Sequence, residues 1–418
     1  MMNLRVALRV MAVGAGAAGV LFASAVVLLA PARAHAEKVE QPELVWEKAF
    51  DKGIYAVGVD DDCFARTKGD ITSCLKWIIL LGQVWFFDGR GGLLPEPVKG
   101  YSGTDCVSAN SRCVLTGQSA EENHAEGEFA HYTMLNWNGE TVWEGDQIRG
   151  SALVRNDGSA VIGVSGGEDI QTWLEKLVFL DARGSVADTE VFAGSPSIPN
   201  LYCTGISQEY FAVVRAPREQ WHEVRVYDRH GDLVWRQNAV RIGESFPYSI
   251  AVSDRGEVAL AFVRLGGSDL GGTEVTVLIF DQDGILRDSL PLPKGGFSVI
   301  TKVDDRLAFV STENQGAGSY FLCYDLDRMK VRSLVADKDG GFPGNIAVNQ
   351  KTGLVAVAVH PENGGDAIKI YDLDGNYRTK VAVEHPEDTY YFWFKLLDGG
   401  LLTAEKNKLR LYGIEGGK

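Results

Sequence analysis

One signature recurs along the chain and restricts it to a repeat architecture. An apolar or aromatic strand ends in Asp or Asn, two residues follow, then Gly, and another strand begins. The copies end at Asp88 with Gly91, Asn136 with Gly139, Asp181 with Gly184, Asp228 with Gly231, Asp281 with Gly284 and Asp372 with Gly375. Asp325 has Arg328 in the glycine place, and a degenerate copy at Gly413 with Gly416 ends the chain. The unit has a physical reason: Asp accepts hydrogen bonds from turn amides, and Gly supplies the φ > 0 that reverses the strand.

The anchors at 88, 136, 181, 228, 281, 325, 372 and 413 lie 48, 45, 47, 53, 44, 47 and 41 residues apart. That period suits four short strands with their turns, as in a propeller blade. Each unit is too small to bury both of its faces, so the units must stack. The predicted fold is all-β, a β-propeller of eight four-stranded blades; seven would result if the first two units merged. Trp77–Leu81 in the first unit reads as a long bulged strand or a short helix. The ring is expected to close through its ends: Leu44–Phe50 resembles a post-turn strand such as Asp232–Trp235, and Lys408–Tyr412 resembles a pre-turn strand. Glycine is abundant at 48 residues and proline scarce at 13, as many tight turns and few long helices would require.

Residues 1–36 read as a Sec-type export signal. Arg5 and Arg9 precede an apolar Val10–Ala30 and a small-residue cleavage site after Ala36. The apolar run is also long enough to remain as an anchor. A linker over 37–42 and a single domain over 43–418 follow, with a periplasmic or secreted location. The formal charge of −15 becomes more negative without residues 1–36, which hold three arginines and no acid. Such a surface repels nucleic-acid phosphates and anionic headgroups, so neither nucleic acid nor membrane, beyond an anchor, is an expected partner. A monomer is expected.

Export makes disulfides plausible. Cys63 and Cys74 are neighbours in sequence, and Cys106 and Cys113 flank a strand–turn–strand. Pairing among these four stays open, cross-blade bridges included. Cys203 and Cys323 read as buried thiols.

The blade segment Val226–Trp235 resembles the signature of the quinoprotein-like (PQQ-repeat) and YVTN/WD40-type β-propellers, in which Trp follows the turn glycine by four. Trp143 after Gly139 and Trp46 fit the same place. The resemblance implies architecture and no activity, because propellers host many unrelated functions.

No catalytic constellation is present, and no cofactor or metal is implied. The D-x-D-G stretches at Asp281, Asp337 and Asp372 lack the Glu of a calcium loop, having Leu292, Val348 and Val383 at that position. The loop Glu121–Glu128 with His131 reads as a solvated acidic loop. The connections Leu115–His131, Ser165–Lys176, Ala216–Glu223, Arg264–Thr273, Thr312–Ser319 and His360–Ala367 are long and should share one face, the expected binding surface. Phe246, Tyr248, Phe297, Phe342, Tyr390, Tyr391 and Trp393 precede or open inner strands and are candidates to line the channel mouth there. The predicted function is a non-catalytic scaffold for a protein or peptide. The alternatives are a channel-site enzyme (a quinoprotein-like dehydrogenase, or a calcium-dependent lactonase using Asn345 and Asp105) and a carbohydrate-binding propeller.

Overall fold

The structure is a computed structural model. It describes residues 42–414 apart from 61–70, 81–82, 89, 96–106, 110–111, 120–128, 149, 167–172, 193–202, 219–220, 242–245, 265–273, 293–298, 315–317, 338–345, 360–364 and 385–392. The strands form eight antiparallel sheets, seven of four strands and one of three, in the order of the repeats.

Blade 1 holds Ile54–Val59, Leu75–Leu80 and Gln83–Phe86, with a bridge from Phe87 to Leu93 where a fourth strand would begin. Blade 2 holds Val107–Ala109, Cys113–Ser119, Phe129–Asn136 and Thr141–Ile148. Blade 3 holds Ser151–Val154, Ala160–Gly166, Trp173–Leu180 and Val186–Val191. Blade 4 holds Cys203–Ile206, Tyr210–Arg218, Trp221–Asp228 and Leu233–Arg241. Blade 5 holds Phe246–Val252, Val258–Arg264, Glu274–Phe280 and Leu286–Pro291. Blade 6 holds Val299–Asp304, Leu307–Asn314, Gly318–Asp325 and Lys330–Asp337, and blade 7 holds Ile346–Asn349, Leu354–Val359, Ala367–Asp372 and Tyr377–Ala382. Blade 8 joins Phe394–Leu397, Gly400–Glu405 and Lys408–Gly413 to the N-terminal strand Leu44–Ala49. Trp77–Leu80 is therefore neither one long strand running on to Phe87 nor a helix but part of the blade's second strand, Leu75–Leu80, which pairs with Gln83–Phe86, Leu80 opposite Gln83; Leu81 lies outside the described residues.

Closure is made by backbone and side chains together. Leu44 pairs with Tyr412 and Ala49 with Lys408, while the Phe50 amide donates to the Asn407 carbonyl at 2.8 Å. Arg410 binds Glu47 at 2.8 Å and the buried Glu405 at 2.6 Å, so one guanidinium ties the first strand of the chain to the last blade. The Ile54 amide donates to the Lys406 carbonyl at 2.7 Å. Ile54, Val57, Leu75 and Ile78 of blade 1 share a core with Leu402, Leu409 and Leu411 of blade 8.

In six turns the anchor side chain accepts from the amides two and four residues on; Asp181 Oδ1 takes those of Arg183 at 2.8 Å and Ser185 at 2.9 Å. Gly184, at φ +77°, also sits beneath Trp143 of the preceding blade, where a Cβ would lie 2.5 Å from the indole. The Trp143 Nε1 donates to the Gly158 carbonyl at 3.0 Å. Trp235 lies over Gly284 in the same way, so the Trp spaced four residues after a turn glycine locks the next blade's turn.

The two faces of the ring differ. On the turn face, neighbouring blades are sewn together. Asn156 N donates to Gln208 Oε1 at 2.9 Å, and Gln208 N donates to Asp254 Oδ1 at 2.7 Å. Arg255 pairs with Asp327 at 2.6 Å, and Asn349 Nδ2 donates to Asp398 at 2.9 Å. Both Leu44 and Gly413 lie at this face. On the opposite face, the described residues of four segments expected as long loops are strand, while most of Arg264–Thr273 and His360–Ala367 lies outside the described residues. Blade 4 pairs out to Arg218 and Trp221, which corrects the loop reading of Ala216–Glu223. Blades 2, 3 and 6 pair out to Ser119 with Ala130, Gly166 with Trp173, and Asn314 with Gly318. We call this the hairpin face.

Two outcomes follow. Deleting Lys406–Lys418 removes the buried Leu409 and Leu411 together with the partner of Leu44–Ala49; scanning calorimetry should show a sharply lowered melting temperature, and Leu409→Ala alone should cost about 3 kcal/mol. Gly184→Ala meets both a positive φ and the indole, whereas Gly399, at φ +99°, has nothing within 4 Å. Denaturant titration should find Gly399→Ala costing about 1–2 kcal/mol of backbone strain and Gly184→Ala clearly more.

Candidate functional site

The aromatic candidates separate on inspection. Phe246 is half-buried and packs against the core shared by blades 5 and 6, with its ring 6.4 Å from Tyr248. Tyr248 is 40% exposed at the hairpin face. Trp393 packs against the core of blades 8 and 1, and its carbonyl accepts the Ala404 amide at 2.9 Å, which accounts for it without a ligand. Phe297, Phe342, Tyr390, Tyr391, Asn345 and Asp105 lie outside the described residues, as does the acidic loop. His131 accepts or donates at 2.8 Å to Asp146 of the adjacent strand.

Among the cysteines, Cys74 is disulfide-bonded, and Cys63 and Cys106 lie outside the described residues. Cys113 carries a thiol, which rules out the local Cys106–Cys113 bridge. Its Sγ donates to the Asn156 carbonyl of blade 3 at 3.4 Å, and burial pushes its pKa up to about 11. Cys203 and Cys323 are thiols as expected, with burial raising Cys323 to about 12. Peptide mapping without reduction should recover Cys74 cross-linked, and iodoacetamide at pH 8 should modify Cys113 and Cys323 only after unfolding.

A group that the sequence reading passed over lies between blades 3 and 4, in the half of the interface nearer the hairpin face. The second and third strands of blade 4 place Arg215, Glu223 and Arg225 on the side facing blade 3, above a floor of Phe179, Phe211 and Tyr227. Phe192, which follows the outer strand of blade 3, is 3% exposed, with the Arg215 guanidinium over its ring at 4.2 Å and that of Arg225 at 5.4 Å. Arg225 donates from Nε to Glu223 at 2.9 Å and from Nη1 to Glu190 of blade 3 at 2.6 Å. Burial opposes its charge, but the bonds to Tyr227 and Glu223 outweigh burial and raise its pKa. Arg215 reaches the same Glu223 oxygen only at 3.5 Å, and its buried Nε makes no hydrogen bond. Burial first and the neighbouring Arg225 charge second lower its pKa.

Trp221 stands at the tip of this hairpin, 45% exposed, on the same side of its strand as Glu223 and Arg225. The next residue, His222, is buried toward blade 5. Its ring is 5.2 Å from Phe262 edge-on, and its Nδ1 is 3.1 Å from the Val240 carbonyl. His222 thereby anchors the strand next to Trp221, whose indole faces solvent. A partial signal exists in the repeat: at the third place before the anchor, blades 1, 2, 3, 5 and 6 have Trp85, Thr133, Val178, Leu278 and Leu322, whereas blades 4, 7 and 8 have the cations Arg225, Lys369 and Arg410.

On the turn face, a cavity of about 440 Å³ lies between the outer turns of blades 6 and 7. Two of its three cations are matched within it, Arg332 by Asp374 at 2.9 Å and Arg328 by Asp325 at 3.7 Å. Among the described residues no three His, Cys, Asp or Glu side chains gather as a metal site requires.

The chain is an eight-bladed β-propeller. It is similar to BamB from Moraxella catarrhalis, with a TM-score of 0.51 at 10% identity over 89% of this chain and 100% of that one. The C-terminal WD40 domain of Sif2 has a TM-score of 0.53 at 12% identity, over 90% and 99% of the two chains. A quinohemoprotein alcohol dehydrogenase from Pseudomonas putida is more remote, at 0.43 and 11% identity over 74% and 67%. No family model and no curated protein matches the sequence. At these identities the likeness defines the fold alone.

Proposed function

We propose that this protein is an exported scaffold that binds a protein or peptide across its hairpin face. The observation that carries the reading is the asymmetry of the ring. The turn face spends its polar groups on joining blades, while the hairpin face lifts paired strands outward and leaves Trp221 and Tyr248 exposed on a rigid support. Aromatic side chains held rigidly lose little entropy on binding, which is why such residues dominate interface energetics. Export is supported by the character of residues 1–36 and by the half-cystine at Cys74, which suits an oxidising compartment.

Site-specific photo-crosslinking tests this. A photoreactive residue at Tyr248 or Val191, on the hairpin face, should give a discrete cross-linked species in living cells. The same residue at Arg183 or Asp374, on the turn face, should give none. The reverse pattern refutes the reading.

A further inference from the structure

Arg215 and Arg225 occupy places that the neighbouring blade 5 fills with apolar side chains. By register they correspond to Phe262 and Leu278 of blade 5, which pack in the hydrophobic core between blades 4 and 5. Replacing such a pair by two half-buried guanidiniums is expensive unless each is fully paired. Arg225 is: it takes Glu190 and the nearer approach to Glu223. Arg215 is left with a second-hand share of Glu223 at 3.5 Å and with the face of Phe192, which fixes the guanidinium plane without supplying an acceptor. Two cations thus share one carboxylate. Arg215 pairs with Glu223, and the exposed Trp221 lies two residues before Glu223 on the same side of that strand, paired with Arg218 beyond a bulge that separates Arg215 from Arg218.

We propose that the cleft between blades 3 and 4 at the hairpin face is a carboxylate-recognition site for a peptide partner, with Arg215 binding the carboxylate and Trp221 covering the adjacent apolar side chain. Arginine suits the task because its planar fork accepts a carboxylate bidentately, and stacking on Phe192 pre-organises that fork. The partner's carboxylate completes the pairing that Glu223 only begins, and the fall in the Arg215 pKa caused by burial and Arg225 is relieved when it arrives. The proposal rests on the hairpin face being the partner face.

The probe is an array of Leu- and Phe-rich octapeptides. Each is made with a free or an amidated C-terminus and with Asp or Asn at one internal position, and binding of the protein is read at low and moderate salt. The expected result is a set of binders that lose at least tenfold in affinity when their carboxylate is replaced by an amide. Whether amidation or Asp→Asn causes the loss identifies the source as a chain terminus or a side chain. R215Q should abolish the preference, R215K should keep part of it, and W221A should weaken every binder. R215M should leave the melting temperature unchanged or raise it, which a structural role for Arg215 would not allow. Absence of any binding peptide, indifference of wild-type binding to amidation and Asp→Asn, or a carboxylate preference that survives R215Q would overturn the proposal. The wild-type comparison stands even if a variant does not fold. Cross-links from Tyr248 or Val191 without a carboxylate preference would remove this inference alone, whereas cross-links only from the turn face would remove the function above as well.

Discussion

The hydrogen-bonded pairing of Leu44–Ala49 with Lys408–Gly413 is the constraint on which the other blades depend. A blade buries its faces only against its neighbours, so an open ring would expose two of them at once. Closure brings residues more than three hundred positions apart into register, and its entropic cost is met late, after most of the chain is in place. The Arg410 guanidinium, held by Glu47 and Glu405, makes that register specific, because a slip by one residue would carry Arg410 to the other side of the sheet.

Blade-to-blade contact follows a simple rule that repeats with variation. Four turns present a glycine to the blade before them, and an aromatic side chain fills the space that the missing Cβ leaves. Phe86 lies against Gly139, Trp143 against Gly184, Phe179 against Gly231 and Trp235 against Gly284. Where the glycine gives way to Arg328, the anchor changes too: Asp325 accepts from the amide three residues on instead of two and four. The same positional logic that explains packing also marks departures from it, and the charged pair in blade 4 is the clearest of these.

Much of the architecture was legible because turn chemistry is local. Asp accepting two amides and Gly at positive φ are fixed by a few consecutive residues, so the spacing of anchors such as Asp181 and Asp228 revealed the blades. Closure was legible because Leu44–Phe50 resembles a post-turn strand and Lys408–Tyr412 a pre-turn strand, so the two complete one blade. Elements decided by distant partners were not. Trp77–Leu80 joined Gln83–Phe86 through a connection too short to carry a turn signature, and the Cys113 thiol answers to Asn156 in the next blade and not to Cys106. The extended hairpin at Trp221 was hidden by Ala216, Pro217 and Arg218, a stretch whose composition suggests a loop but whose cross-strand partner keeps it extended. Arg215 and Arg225 carry no local signature, and only the register sets them beside Phe192.

The placement of both chain ends at the turn face has a mechanical consequence. The N-terminal strand runs antiparallel to Lys408–Gly413, and Leu44 sits opposite Tyr412. Tension applied between the two ends would load the hydrogen bonds of that pair one after another, beginning at Leu44, instead of sharing the force along the whole strand. Such a clasp resists thermal agitation cooperatively yet peels under a pull. The strength of the ring therefore depends on the direction from which it is tested.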